Sequence, residues 1–263
     1  MNTLTASNDF TRHSQSVSFV RMLALETRME TLRLLRNPSF AIPTMAFPVM
    51  FYLLFGVFLL GTRMRGTNMA AHLFGAFLAF GVVAPGLFGL GVGLAMDRER
   101  GLLQLKRALP IPAGLYLTAK LLVAALLSST ISLALMLCAA TLGKVSLDVT
   151  QWLNLFAVSL LGCLPFCGLG CLIGSMVKGQ AAPAIINLLY LPMNFLSGVL
   201  LPLAALPEVL RQWAPIWPTY HLTKLTANII DRQNEGAPPH VVMLLSTTVL
   251  CFAFAQRRLR TRL

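Results

Sequence analysis

Six stretches of the chain run without an Asp, Glu, Lys or Arg. They are Phe40–Leu60, Ala70–Met96, Leu121–Gly143, Val149–Val177, Gly179–Pro207 and Val241–Ala255, of 21, 27, 23, 29, 29 and 15 residues. A helix needs about 20 apolar residues to cross the hydrocarbon core of a bilayer, so the first five qualify by length. The sixth covers only about 22 Å at about 1.5 Å per residue. It spans only with His240 and Gln256 at the interfaces.

Polar segments frame these runs. Residues 17–36 have a helical pattern, with Val17, Val20, Leu23, Ala24, Thr27, Thr31, Leu34 and Leu35 in one sector and all six charges outside it. That pattern predicts a helix lying in the membrane interface, its basic side chains reaching lipid phosphates; a plain juxtamembrane anchor is the alternative. Asn37-Pro38 should end it, because the residue before proline is pushed out of helical geometry. The loop of residues 97–112 holds six charges, a helix-capable stretch from Gly101 to Leu109, and a Pro-x-Pro stop. Positive-inside bias explains its Arg and Lys, but not Glu99, Gly101 or the apolar Leu102, Leu103 and Leu105. The segment between the last two runs carries Trp213, Trp217, Tyr220 and several prolines. It is too polar to span and too apolar for an open loop, which predicts a re-entrant or interfacial hairpin on the outer face.

Composition sharpens this picture. Apolar residues make up 56% of the 263 and charged residues 11%, with a mean hydropathy of +0.73. A soluble domain carries about 25% charged residues, so the chain is read as an integral membrane protein forming one bundle. The net charge of +12 would suggest nucleic acid in a soluble protein. Here positive-inside bias accounts for it, and no nucleic-acid partner is expected. With six spans and both ends inside, 15 basic residues fall on the cytoplasmic side and 6 outside. Dropping the sixth span makes the sides nearly equal, so orientation favours six. No signal peptide is visible, and the first run should act as an uncleaved span.

Candidate chemistry is sparse. There is no P-loop, no H-E-x-x-H and no G-x-S-x-G in the chain, so no catalytic residue and no metal ligand is assigned. Cys163, Cys167 and Cys171 recur every four residues near Gly170 and Gly174. Small-residue helix packing is favoured there over metal binding, which would want His or carboxylate partners. Asn187 and Asn194 are seven apart with Phe195 adjacent, a spacing that suits interhelical hydrogen bonding or contact with cargo. Ion-coupled carriers usually need ionisable groups inside the membrane, and none of the six runs has an Asp, Glu, Lys or Arg. Energy for uphill transport would therefore come from another subunit.

An interfacial helix ending in Arg36-Asn37-Pro38, six runs, Glu99-x-Gly101 with Leu109-Pro110, and Ser197-Gly198 followed by Pro202, Pro207 and Pro218-x-Tyr220 together resemble the permease subunits of ABC-2 type transporters. These include bacterial drug, antibiotic and polysaccharide exporters. The resemblance implies an all-α integral membrane protein with six transmembrane helices, an N-terminal interfacial helix, a cytoplasmic coupling helix and an outer re-entrant hairpin between spans five and six. Residues 1–39 would form the cytoplasmic N-terminus, 40–256 the six-span domain and 257–263 a basic cytoplasmic tail, in a bacterial inner membrane. It implies that Glu99, Arg100, Gly101, Lys106 and Arg107 seat in a separate P-loop ATPase subunit, with Glu26, Arg28 and Arg33 of the preceding helix also touching it. ATP and Mg would belong to that partner, with no cofactor on this chain. The path would lie between two permease copies, homo- or heterodimeric. It would be lined by Asn187, Asn194 and Phe195, with Leu200 and Leu201 as an outer gate. Many relatives carry Thr where Leu102 stands. The uncharged path favours a small amphipathic or lipid-like cargo. Two other readings stay open: an ATP-independent secondary carrier or channel, and a membrane anchor or assembly factor.

Overall fold

The computed structural model describes residues 18–59, 69–108, 114–200, 206–232 and 236–261. Among them every regular element is helical. Helix α1 (Phe19–Leu35) ends as the proline predicts, with Asn37 extended and Pro38 opening α2 (Pro38–Phe51), which continues as a π-helical stretch to Leu59. Helix α3 (Met69–Ala84), a second π-helical stretch (Pro85–Val92) and α4 (Gly93–Glu99) form one continuous rod. Pro85 lacks an amide hydrogen and crowds the preceding turn, and the wider π geometry accommodates it. A short α5 (Leu102–Ala108) precedes two long helices, α6 (Leu115–Thr141) and α7 (Val149–Met176). The chain then forms α8 (Ala182–Leu196), α9 (Glu208–Trp213), a 3-10 turn, α10 (Pro218–Ile230) and α11 (Ala237–Thr261).

Among the described residues, five helical segments are long and apolar enough to cross a membrane: Pro38–Leu59, Met69–Glu99, Leu115–Thr141, Val149–Met176 and Ala237–Arg258. The fifth and sixth runs exchange places. The sixth run sits within α11, a helix of 25 residues, because Pro238 and Pro239 fit a helix's first turn and a basic end suits its C-terminus. The fifth run, although 29 residues long, yields only the 15 residues of α8. Ser197 and Gly198 stop it, Gly198 in the left-handed region (φ +80), the usual end of a helix. A second correction concerns residues 97–99. They belong to the rod of the second span, not to the following loop.

The rod α3–α4 is the axis of the bundle and is enclosed along most of its length. Glycines let α7 approach it closely. A Cβ on Gly170 would stand 2.7 Å from the Gly86 carbonyl oxygen, and one on Gly174 would collide with that of Gly91. Cys163, Cys167 and Cys171 are buried on this same helix, in the small-residue packing role. Across α7, Gly168 admits Cys251 of α11. Helix α10, from the segment read as a re-entrant or interfacial hairpin, seats Leu222 against Gly162, midway along α7, and buries Thr226, whose hydroxyl donates to the Gly75 carbonyl at 3.1 Å. Gln151 closes that end by donating to the Ile229 and Ile230 carbonyls at 2.8 and 3.1 Å, satisfying the last turn of α10.

This packing predicts unequal tolerance of added methyl groups. Gly174→Ala should destabilise the protein by about 1–3 kcal/mol through overpacking, whereas Gly114→Ala, with open space around its Cβ, should be neutral. Thermal unfolding in detergent measures both.

Candidate functional site

Helix α1 turns a charged face inward. Glu26, Glu30 and Arg33 stand four and three residues apart, which stacks them along one side of a helix. Each meets a different element. Glu26 pairs with Lys106 of α5. Glu30 accepts from Lys120 of α6 at 3.2 Å. Arg33 donates to Asp97 of α4 at 2.8 Å and lies 3.5 Å from Glu30. Lys120 also reaches Asp97 at 3.1 Å, and the Tyr116 hydroxyl donates to Asp97 at 2.7 Å. The Tyr116 ring lies between two ammonium groups, Lys106 at 4.6 Å and Lys120 at 5.0 Å from its centroid. The expected contact of the α1 basic side chains with lipid phosphates is replaced, at Arg33, by ion pairs within the protein.

The cluster is deep. Asp97 is 1% exposed, Lys120 4% and Glu30 7%. Glu30 and Asp97 balance Lys120 and the more exposed Arg33, so the group is neutral as a set. Burial works against the Arg33 charge, yet the Asp97 hydrogen bond and the charges of Asp97 and Glu30 outweigh it and hold its pKa above the ordinary value. Sequence reasoning missed Asp97, Lys120, Tyr116 and Glu30. Asp97 and Lys120 sit just beyond the ends of apolar runs, where a single charge resembles an interfacial anchor. The signal was the spacing of Glu26, Glu30 and Arg33 on one face.

Gly101 adopts φ +73, the left-handed conformation that glycine supplies without strain. It turns the chain from α4 into α5. On α5, Lys106 faces α1, while Gln104 and Leu105 are exposed. Arg107 lies in α5 with its side chain outside the described residues. Glu99 packs against Gly179, and Arg100 and Arg28 are exposed.

A second feature lies beside the cluster. A cleft of about 270 Å³ opens between α2, the axial rod and α8, lined by Ser39, Phe40, Thr44, Phe47, Phe80, Phe88, Asn187 and Tyr190, among others. Tyr190 packs on Phe80 and Phe88 with ring centroids 5.7 and 5.4 Å apart. Asn187 lines this cleft. Asn194 is fully buried, with Nδ2 donating to the Tyr190 carbonyl at 2.8 Å and Oδ1 unpartnered. Phe195 is exposed, Leu200 is half-buried beside the core that contains Val199, and Leu201 lies outside the described residues. Among the described residues no three His, Cys, Asp or Glu side chains gather to hold a metal ion.

Removing one member of a buried ionic set leaves an uncompensated charge, which costs about 3–5 kcal/mol. Lys120→Met should therefore lower the unfolding midpoint sharply. Arg232→Ala breaks an exposed pair with Asp148, worth about 0–1 kcal/mol, and should change it little. Thermal unfolding of the two variants side by side checks the contrast.

Comparison with known proteins agrees with this architecture. The family described as "ABC-2 type transporter" matches residues 23–230. The stretch begins within α1 and ends with α10, so it takes in both the ionic cluster and the cleft. A protein of Bacillus subtilis (strain 168) described as "Putative transport permease YvfS" is 26% identical over 202 residues, covering 77% of this chain and 82% of that protein. An all-helical bundle with five membrane-length helices, matched over most of its length by this family, belongs to the ABC-2 type transporters and is a multi-pass membrane permease.

Proposed function

We propose that this permease is the membrane subunit of an ATP-driven exporter and that separate P-loop ATPase subunits, carrying ATP and Mg, dock on α5 and the adjoining face of α1. The observation that carries this reading is the placement of α5. Gly101 swings it off the end of the axial rod, Lys106 ties it to Glu26 of α1, and Gln104 and Leu105 are left exposed at the charged end of the bundle. A helix held by ion pairs on one side and bare on the other is suited to receive a partner and to pass its motion to α4. Glu99, Arg100, Gly101, Lys106, Arg107, Glu26, Arg28 and Arg33 make up this docking segment.

The cleft supports the second half of the proposal. Its wall is aromatic, with Asn187, Ser39 and Thr44 as polar points. Such a lining suits an amphipathic or lipid-like molecule with a ring or chain and a few hydrogen-bonding groups. Phe40 and Leu34 both approach Gly89, which puts the cleft in the half of the bundle nearest the ionic cluster. In a bacterial inner membrane, with both ends of the chain inside, cargo would enter from the cytoplasmic half. A second permease copy would complete the path along α8, past Asn194 and Phe195 toward Leu200 and Leu201. The segment from α9 to α10 would form the outer re-entrant hairpin.

Leu105→Arg tests the docking surface. Leu105 is 60% exposed, so the change leaves the bundle intact. It should weaken copurification with the ATPase subunits at least tenfold, a loss of about 1.4 kcal/mol or more, while membrane insertion stays normal. Undiminished copurification would place the ATPase elsewhere.

A further inference from the structure

The last turn of α4 touches a second junction besides α5. Arg98 donates one guanidinium nitrogen to the Ser175 carbonyl and the other to the Val177 carbonyl, the latter at 2.7 Å. These carbonyls end α7, where a helix leaves its final acceptors without partners in its own backbone. Beside them, Gly179 lies so close to α4 that a Cβ there would stand 2.5 Å from Glu99 Oε2 and 2.9 Å from the Met96 Cα. The α7–α8 turn is thus fitted against α4 by a fork of two hydrogen bonds and a backbone contact.

That turn is the base of α8. The Ala181 and Ala182 amides donate to the Lys178 carbonyl at 3.1 and 3.0 Å, so the helix springs directly from it. Asn187, in the cleft wall, stands only about 8 Å further along at about 1.5 Å per residue. Two residues before Glu99, the same rod enters the ionic cluster through Asp97, and three residues after it α5 begins.

We propose that Arg98 is a positioning residue that makes the α7–α8 turn move with α4, so that displacement of α5 reaches α8 and the cleft. The inference rests on the docking role of α5 proposed above. Guanidinium geometry suits the task, since its planar fork serves two acceptors at once. A lysine ammonium is a single point charge on a flexible stem and holds them less firmly. Glutamine, shorter and uncharged, cannot reproduce the fork.

Spin-label distances in the complex with its copurifying ATPase subunits test this. Labels go on Gln104→Cys in α5 and Gln180→Cys in the turn, both exposed positions, each paired with Leu133→Cys on α6. Cys138 is replaced by Ala, since the other four native cysteines are buried. Trapping the ATPase with ATP and vanadate should shift both distances by about 2 Å, the scale of helix displacements in such switches. Arg98→Gln should keep the shift at 104 and lose at least half of the shift at 180. Arg98→Lys should fall between Arg98→Gln and the unmodified chain. A full shift at 180 in both variants overturns the proposal, as does an unmodified chain in which 104 moves and 180 stays. If neither label moves in the unmodified chain, the docking role of α5 itself is wrong.

Discussion

Three charged side chains buried at one end of a membrane bundle, Glu30, Asp97 and Lys120, joined from the surface by Arg33, set the terms for everything around them. Each of Glu30, Asp97 and Lys120 would cost several kcal/mol if enclosed alone. They are tolerated because each has an opposite charge within 3.5 Å and Tyr116 supplies a further donor. The set is complete only when α1, α4 and α6 are all in place. A helix preceding the first span, which nothing in its own sequence fixes to the bundle, is thereby given one position.

The consequences run in two directions. Outward, α1 so placed offers Glu26 to Lys106, and α5 rests on it beside the Tyr116 ring. Inward, Asp97 belongs to the same rigid rod that carries Gly86 and Gly91 into contact with α7. Close backbone approach of this kind transmits displacement, because packed helices have no slack to absorb it. Close packing thus links the charged end to the aromatic cleft, and Gly101, with its left-handed backbone, turns the chain from α4 into α5.

Much of this was legible in the sequence. Charge-free runs located the membrane helices, Asn37-Pro38 located the end of α1, and Gly101 the break before α5. Counting charges failed where conformation decides. The Gly179–Pro207 run contains Gly198, Pro202 and Pro207, turn-forming residues that a tally of charges ignores, and α8 stops at Leu196. The Val241–Ala255 run looked short because its helix continues through Pro238, Pro239 and Arg257, residues that a charge-free window excludes or a propensity scale penalises. The ionic cluster was hidden for a different reason. Apart from Glu30 and Arg33, three positions apart on α1, its charged members are 23 and 64 to 90 positions apart, and a lone Asp97 or Lys120 at the end of an apolar run has the same appearance whether it meets water or a partner. Only the fold tells the two apart.

The central claim is that Glu30 and Lys120 act on each other as partners in the buried set, beyond whatever each contributes alone. A double-mutant cycle of Glu30→Gln and Lys120→Met, read by equilibrium unfolding in detergent, measures it directly. The account predicts that the double variant is more stable than the sum of the single losses by about 1–3 kcal/mol, since the second change removes a charge the first left unpaired. Losses that add within about 0.5 kcal/mol would contradict it.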